Sequence, residues 1–250
     1  MRRIMILVVT CLLFAVEAFA IPTIQVGAPA GTSDNGIYAD YLTTQLTNPS
    51  ETGTAITGSL IIYAAAAYGP NTALIGGSNK MGYPDWSAYN PNFDDAGAIL
   101  IASVPNGQLS AAAASLRING MQAIFTTTGE GFFSPNDHAP LQPDVSDFLF
   151  FDIGNLASSG EVPDFADETG GAKGEIKSLL LAGWDKIPWI HFDVIALETN
   201  INGAGKATTA VVNNPASHDV TWKLALVPEP GTMLLLGLGL IGIGVLLKRN

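Results

Sequence analysis

Residues 21–226 consist of short apolar runs separated by Gly, Pro, Asn and Asp. In the run Trp189–Leu197 apolar and polar residues alternate, which places His191 and Asp193 on the same face of a strand. Val220–Leu226 alternates in the same way, as is typical of a half-buried strand. The runs predicted to be strands are Thr23–Val26, Ile37–Thr44, Ala55–Ala65, Ala98–Val104, Gln122–Thr127, Phe148–Ile153, Glu175–Leu181, Trp189–Leu197, Ala207–Val212 and Val220–Val227.

Strands at this spacing predict an all-β fold, an antiparallel β-sandwich of jelly-roll-like form. The Ala-rich segment Ser110–Leu116 predicts one short helix with Ser110 as its N-cap. Tyr63–Tyr68 is also Ala-rich, but it continues an apolar run and favours a strand. Long loops, where binding sites commonly lie, are predicted at 76–95, 129–147 and 160–174.

The N-terminus has the pattern of a secretory signal peptide over residues 1–20. Arg2 and Arg3 precede an apolar stretch, and Ala18 and Ala20 occupy the −3 and −1 positions of a cleavage site. Cleavage there would make residues 21–226 a secreted domain, exported by the Sec machinery. A retained membrane anchor is the alternative.

The composition of that domain limits the kinds of binding and catalysis that it can support. Cys11 is the only cysteine and lies in the signal peptide, so the mature chain would have no disulfide and no thiolate nucleophile. Residues 21–227 contain seven Lys and Arg against 20 Asp and Glu, a formal charge of −13. A domain this acidic repels phosphate backbones, which argues against nucleic-acid binding.

Two loops contain candidate binding residues. Tyr83, Trp86 and Tyr89 lie among Asn and Asp residues, as in a glycan-binding surface, although aromatic residues also hold a long loop down by packing. The acidic residues Asp164, Asp167 and Glu168 could hold a structural Ca²⁺. They do not follow the EF-hand spacing, and a solvated acidic surface is the alternative. No other cofactor is expected.

The three histidines are His138, His191 and His218. A metal or acid–base cluster would require His191 and Asp193 to meet other ligands in space, and His218 is followed by Asp219. No metalloprotease motif and no serine-nucleophile motif is present. We therefore expect hydrogen-bonded structural histidines and a non-enzymatic protein.

The C-terminal segment, residues 227–250, combines three features. Pro228, Glu229 and Pro230 precede an apolar stretch at 231–247, and Lys248 and Arg249 follow it. A helix over 231–247 would rise about 25 Å at ~1.5 Å per residue, marginal for a bilayer core of about 30 Å. The segment resembles the PEP-CTERM sorting signal of Gram-negative bacteria. That resemblance implies a transmembrane sorting helix, processing by exosortase, and delivery to the cell surface in association with exopolysaccharide and biofilm.

The body more loosely resembles the choice-of-anchor N family, whose secreted domains end in different anchoring signals. The stretches that carry this resemblance are Asp147–Gly154, Val162–Gly170, Trp189–Leu197 and Ser217–Lys223. Three functional hypotheses follow. The first is a non-enzymatic surface or matrix protein sorted by exosortase through an inner-membrane intermediate. The second is a carbohydrate-binding module or glycan-acting enzyme of the same matrix. The third is a single-pass membrane protein that keeps its C-terminal helix.

Overall fold

The computed structural model describes residues 23–27, 44–45, 52–56, 61–77, 82–129, 146–164, 169–215 and 219–223. Two β-sheets pack face to face with one helix, which confirms the predicted all-β sandwich. The elements are β1 (Ile24–Gly27), β2 (Thr44–Gln45), β3 (Thr52–Ile56), β4 (Ile61–Tyr68), β5 (Thr72–Gly76), β6 (Ala98–Pro105), α1 (Leu109–Ser115), β7 (Arg117–Ile118), β8 (Phe125–Thr127), β9 (Ser146–Gly154), β10 (Gly160–Asp164), β11 (Thr169–Ala182), β12 (Trp189–Ile201), β13 (Ala207–Asn213) and β14 (Val220–Lys223).

The smaller sheet has the order β1-β4-β11-β10, with β7 also paired to β11. The larger sheet has the order β2-β3-β14-β12-β6-β9-β8, with β5 and β13 also paired to β12. Among the described strands, every pairing is antiparallel except that between β3 and β14. Strand β12 is the centre of the larger sheet because it pairs with four strands, β14 and β6 near its start and β13 and β5 near its end.

Between the sheets lies one hydrophobic core. Strand β12 contributes Phe192 and Val194 to it, and β4 contributes Ile62, Ala64 and Ala66. The run Tyr63–Tyr68 is a strand because β1 and β11 pair with its two edges. Its alanines suit this position, where the backbones of neighbouring strands approach closely.

A second hydrophobic cluster covers the outer face of the larger sheet. Two 3-10 helices, Trp86–Ala88 and Pro91–Phe93, bring Trp86 and Phe93 onto this face. Their rings contact each other edge to face with centroids 5.4 Å apart, and Phe93 contacts Phe150 of β9. Residues 82–95, within the segment predicted to be a loop, therefore form a folded cover over part of the sheet.

Two predictions of local structure were wrong. Residues 160–174, predicted to be a loop, contain β10 and the start of β11. Helix α1 starts at Leu109, two residues before the start predicted with Ser110 as the N-cap, and Gln108 occupies the N-cap position. The predicted strand Ala55–Ala65 is divided between β3 and β4, and most of the predicted strand 37–44 lies outside the described residues.

Candidate functional site

Three ionisable side chains meet on the outer face of the larger sheet. His191 Nε2 lies 3.0 Å from Asp193 Oδ2 and 3.7 Å from Asp219 Oδ2. One ligand atom from each residue can be chosen so that all three lie within 4.8 Å of one another. The three residues, which we call the polar cluster, are at most 2% exposed.

Strand register builds this cluster. His191 and Asp193 project from the same face of β12, opposite the core residue Phe192. Antiparallel pairing with β14 places Thr221 beside His191. Asp219 directly precedes β14, and the same register places it beside Asp193. His191 Nδ1 and Thr221 Oγ1 are 2.9 Å apart.

Asn214 joins the cluster from the gap between β13 and β14. Its backbone N–H donates to the Val194 carbonyl, and its Oδ1 accepts from the Val194 N–H at 2.6 Å. Asn214 therefore supplies hydrogen bonds to β12 at Val194, a position that pairs with neither β13 nor β14. Its Nδ2 donates to Asp193 Oδ1 at 2.9 Å, which leaves Oδ2 facing His191.

Ser103 of β6 is the residue directly opposite His191 on the other edge of β12. Its side chain is buried, and Oγ has no hydrogen-bond partner in the part of the chain that the structure describes. Directly paired residues in antiparallel sheets have Cβ atoms about 5 Å apart and share a face. A hydroxyl is thus available beside the imidazole of His191.

This arrangement has the chemistry of a cation site. Imidazole nitrogen and carboxylate oxygen are common metal ligands, and two buried carboxylates require a cation or protons for charge balance. Sequence alternation alone placed His191 and Asp193 together. The expectation of scattered histidines missed Asp219, and no local signal in the sequence could have brought it to them.

The predicted glycan residues have different environments. Trp86 is 2% exposed, and its indole N–H donates to the Gly97 carbonyl at 2.6 Å, so it belongs to the packing of the outer face. Tyr89 is 42% exposed and donates its hydroxyl to the Thr209 carbonyl. Tyr83 is partly buried. The structure does not bring the three rings together on one exposed surface.

The structure describes one of the three predicted calcium residues. Asp164 is the last residue of β10 and pairs with Thr169, whereas Asp167 and Glu168 lie outside the described residues. Two other acidic residues have structural roles in the described chain. Asp147 accepts from the Gly107 and Leu109 N–H groups, and Asp152 from those of Gly97 and Gly154.

The terminal predictions lie outside the described residues. These are the cleavage-site residues Ala18 and Ala20, the sorting residues Pro228, Glu229, Pro230, Lys248 and Arg249, and the apolar stretch 231–247. Among the residues that are described, no helix has the length and apolar character needed to cross a membrane.

Comparison with protein families finds a match to the PEP-CTERM protein-sorting motif at residues 226–249. The chain carries a PEP-CTERM sorting signal. The signal marks an exported protein that passes through a membrane-anchored intermediate and is processed by exosortase. Neither the curated proteins nor the solved structures provide a match to the chain. The resemblance of the body to choice-of-anchor N proteins stays a prediction.

Proposed function

We propose that the chain is a non-enzymatic surface or matrix protein, exported by the Sec machinery and released or attached by exosortase at its C-terminal signal. The observation that carries this proposal is the position of the signal. Strand β14 ends at Lys223, and the sorting motif begins at residue 226. Cleavage near Pro228-Glu229-Pro230 would remove no described strand, so the sandwich would remain complete after processing.

Burial of the polar cluster supports a non-enzymatic role. His191 and Asp219 are 0% exposed, and Asp193 is 2% exposed. A general base must reach the proton that it abstracts, directly or through one water. A substrate could reach these side chains only if the residues that bury them moved aside, so the cluster suits a role in stability.

The processing test uses the full chain in a Gram-negative host with exosortase and in a matched strain without it. An epitope tag placed after the exposed Ala204, in the turn between β12 and β13, would report location without altering either terminus. We expect a shortened chain at the surface or in the medium only when exosortase is present. Mass spectrometry of the C-terminus would identify the cleavage point.

A triple Ala substitution of Pro228, Glu229 and Pro230 should leave the chain full-length in the membrane fraction. Glu161→Ala is the matched control, because it removes an exposed carboxylate outside the motif. Identical mature masses and locations for wild type, triple variant and control in both strains would contradict the proposal.

The proposal includes association of the exported protein with exopolysaccharide. The exposed ring of Tyr89 offers an apolar face to a sugar, and its hydroxyl is held by Thr209 on β13. Co-sedimentation of the full chain with the host's purified exopolysaccharide would test binding. If Tyr89 contributes, Tyr89→Ala should reduce the bound fraction and Tyr63→Ala, on β4, should not. Equal binding by all three proteins would exclude this tyrosine as a contact.

A further inference from the structure

We propose that His191, Asp193 and Asp219 form a structural site for a divalent transition metal ion, with Zn²⁺ as its preferred occupant. The spacing of the ligand atoms supports this assignment. Nε2 lies 3.0 and 3.7 Å from the two Oδ2 atoms. Tetrahedral bonds of about 2.0–2.2 Å to zinc place neighbouring ligand atoms about 3.3–3.5 Å apart. Small side-chain rotations would therefore accommodate an ion.

Charge balance points to a dication. Burying two carboxylates together is costly unless positive charge accompanies them. A neutral imidazole, two carboxylates and one divalent ion sum to zero formal charge. Counted over these three side chains alone, a protonated imidazole in place of the ion would leave a formal charge of −1 in a group that is at most 2% exposed.

The contacts around the cluster orient its ligands as in known metal sites. Metal-bound histidines usually donate their second ring N–H to a neighbouring acceptor, and such contacts fix the tautomer. Thr221 Oγ1 lies 2.9 Å from Nδ1 and can accept that hydrogen. In that tautomer Nε2 presents its lone pair toward Asp193 Oδ2, an arrangement that a cation between them would stabilise. Asn214 holds the other oxygen of Asp193.

Ser103 is an independent observation that favours a ligand at this place. Its buried Oγ has no partner among the described residues, and it lies directly across from His191. A buried hydroxyl without a hydrogen bond costs about 1–3 kcal/mol. The hydroxyl would gain a partner either by binding the metal as its fourth ligand or by hydrogen-bonding to a water that does so. Either arrangement would complete four-coordination.

The donor set distinguishes among metal ions. Calcium takes six to eight hard oxygen ligands, whereas imidazole nitrogen suits zinc and other transition ions. Structural zinc sites have no open coordination position for a substrate, and the three ligands here are buried. An ion here would join β14, through Asp219, to β12, through His191 and Asp193. It would thus fasten the strand that directly precedes the sorting signal.

The test uses the full chain purified in detergent, stripped with a chelator and dialysed against buffer with or without Zn²⁺. We expect one equivalent of tightly held zinc by elemental analysis. When free Zn²⁺ is about 100 times the Kd, the folding equilibrium constant should rise about 100-fold, and Tm should rise by about 5–10 °C. A parallel titration with Ca²⁺ should produce a smaller shift.

Asp219→Asn keeps the size of the side chain and removes one charged ligand. We expect it to lose the bound equivalent and the zinc-dependent Tm shift. Asp147→Asn is the matched control, because Asp147 is also buried but caps the turn before α1. It should keep both properties. Equal zinc binding by both variants would assign the metal to surface carboxylates and overturn the proposal.

The wild-type chain provides a readout even if Asp219→Asn does not fold. Nitrogen NMR of the His191 ring distinguishes a metal-bound imidazole from a protonated one. Zinc should shift the Nε2 resonance and leave Nδ1 protonated. A protonated imidazole that is unchanged by added zinc, together with no retained zinc, would show that a proton balances the cluster and would refute the metal site.

Discussion

The outer face of the larger sheet contains two adjoining regions made by the same strands. In the apolar region, Ile195 of β12 and Phe150 of β9 pack beneath Trp86 and Phe93. In the polar region, a few residues away on β12, His191 and Asp193 are buried with Asp219. Apolar packing stabilises a fold regardless of ionisation, whereas buried charges stabilise it only when they are balanced. The apolar region of this face should therefore stabilise the fold at any pH and metal concentration. The contribution of the polar region should depend on both.

The largest expected effect is in the apolar region. Phe150→Ala removes a ring that is 2% exposed and contacts the rings of Phe93 and Phe125 with centroids 5.1 and 5.6 Å away. We expect a loss of about 3–5 kcal/mol in the free energy of unfolding. Urea unfolding of the full chain in detergent would measure it. The loss should be the same with zinc and with chelator; a zinc-dependent loss would mean that the two regions are coupled.

A smaller effect is expected from Asn214→Ala in the polar region. The substitution removes the acceptor for the Val194 N–H and the donor to Asp193. We expect a loss of about 1–3 kcal/mol, because buried polar groups would be left without partners. Zinc affinity should also fall by about 10- to 100-fold, as for other residues that orient metal ligands. Asn213→Ala, on the neighbouring partly buried residue, is the control. Unchanged zinc affinity in Asn214→Ala would separate this residue from the site.

The smallest effect concerns Tyr68, which lies outside both regions. Its hydroxyl donates to the Leu156 carbonyl and accepts from the Ile75 N–H, so it links β4 to the larger sheet. Tyr68→Phe should cost about 1 kcal/mol at neutral pH. Unfolding in urea would measure this loss.

The same residue gives a reference for pH dependence. Burial raises the pKa of Tyr68 above its ordinary value of 10.0. The folded state therefore favours the neutral phenol, and its contribution is present below pH 10 and lost as the pH rises through the folded-state pKa. The free energy of unfolding, measured from pH 8 to 11, should decline more steeply for wild type than for Tyr68→Phe. Identical slopes would exclude Tyr68 as the cause.

Local pattern was sufficient to predict that two of the three residues of the polar cluster lie on one face. Side chains alternate along any strand, so the positions of His191 and Asp193 on one face follow from the sequence of β12 alone. The arrival of Asp219 depends on the pairing register of β12 with β14. Register is set by turns and burial across the whole sheet, which a single run of residues does not reveal.

Glycine produced the clearest error in the predicted fold. Gly174 falls in the segment predicted to be a loop, yet it lies in β11 opposite Ala67 of β4. A Cβ at this position would lie 1.9 Å from the Ala66 carbonyl oxygen. The glycine is therefore required for close approach of two strands. Composition alone does not distinguish this requirement from the flexibility of a turn.

The position of β14 has a mechanical consequence for a protein attached through its C-terminus. This strand hydrogen-bonds to β12 on one edge and to β3 on the other. A pull on the residues after Lys223 acts along the strand and loads the bonds on both edges together in shear. Bonds loaded in this way must break together, unlike those of a hairpin peeled open from its end. The strand next to the sorting signal is thus the one best placed to bear tension.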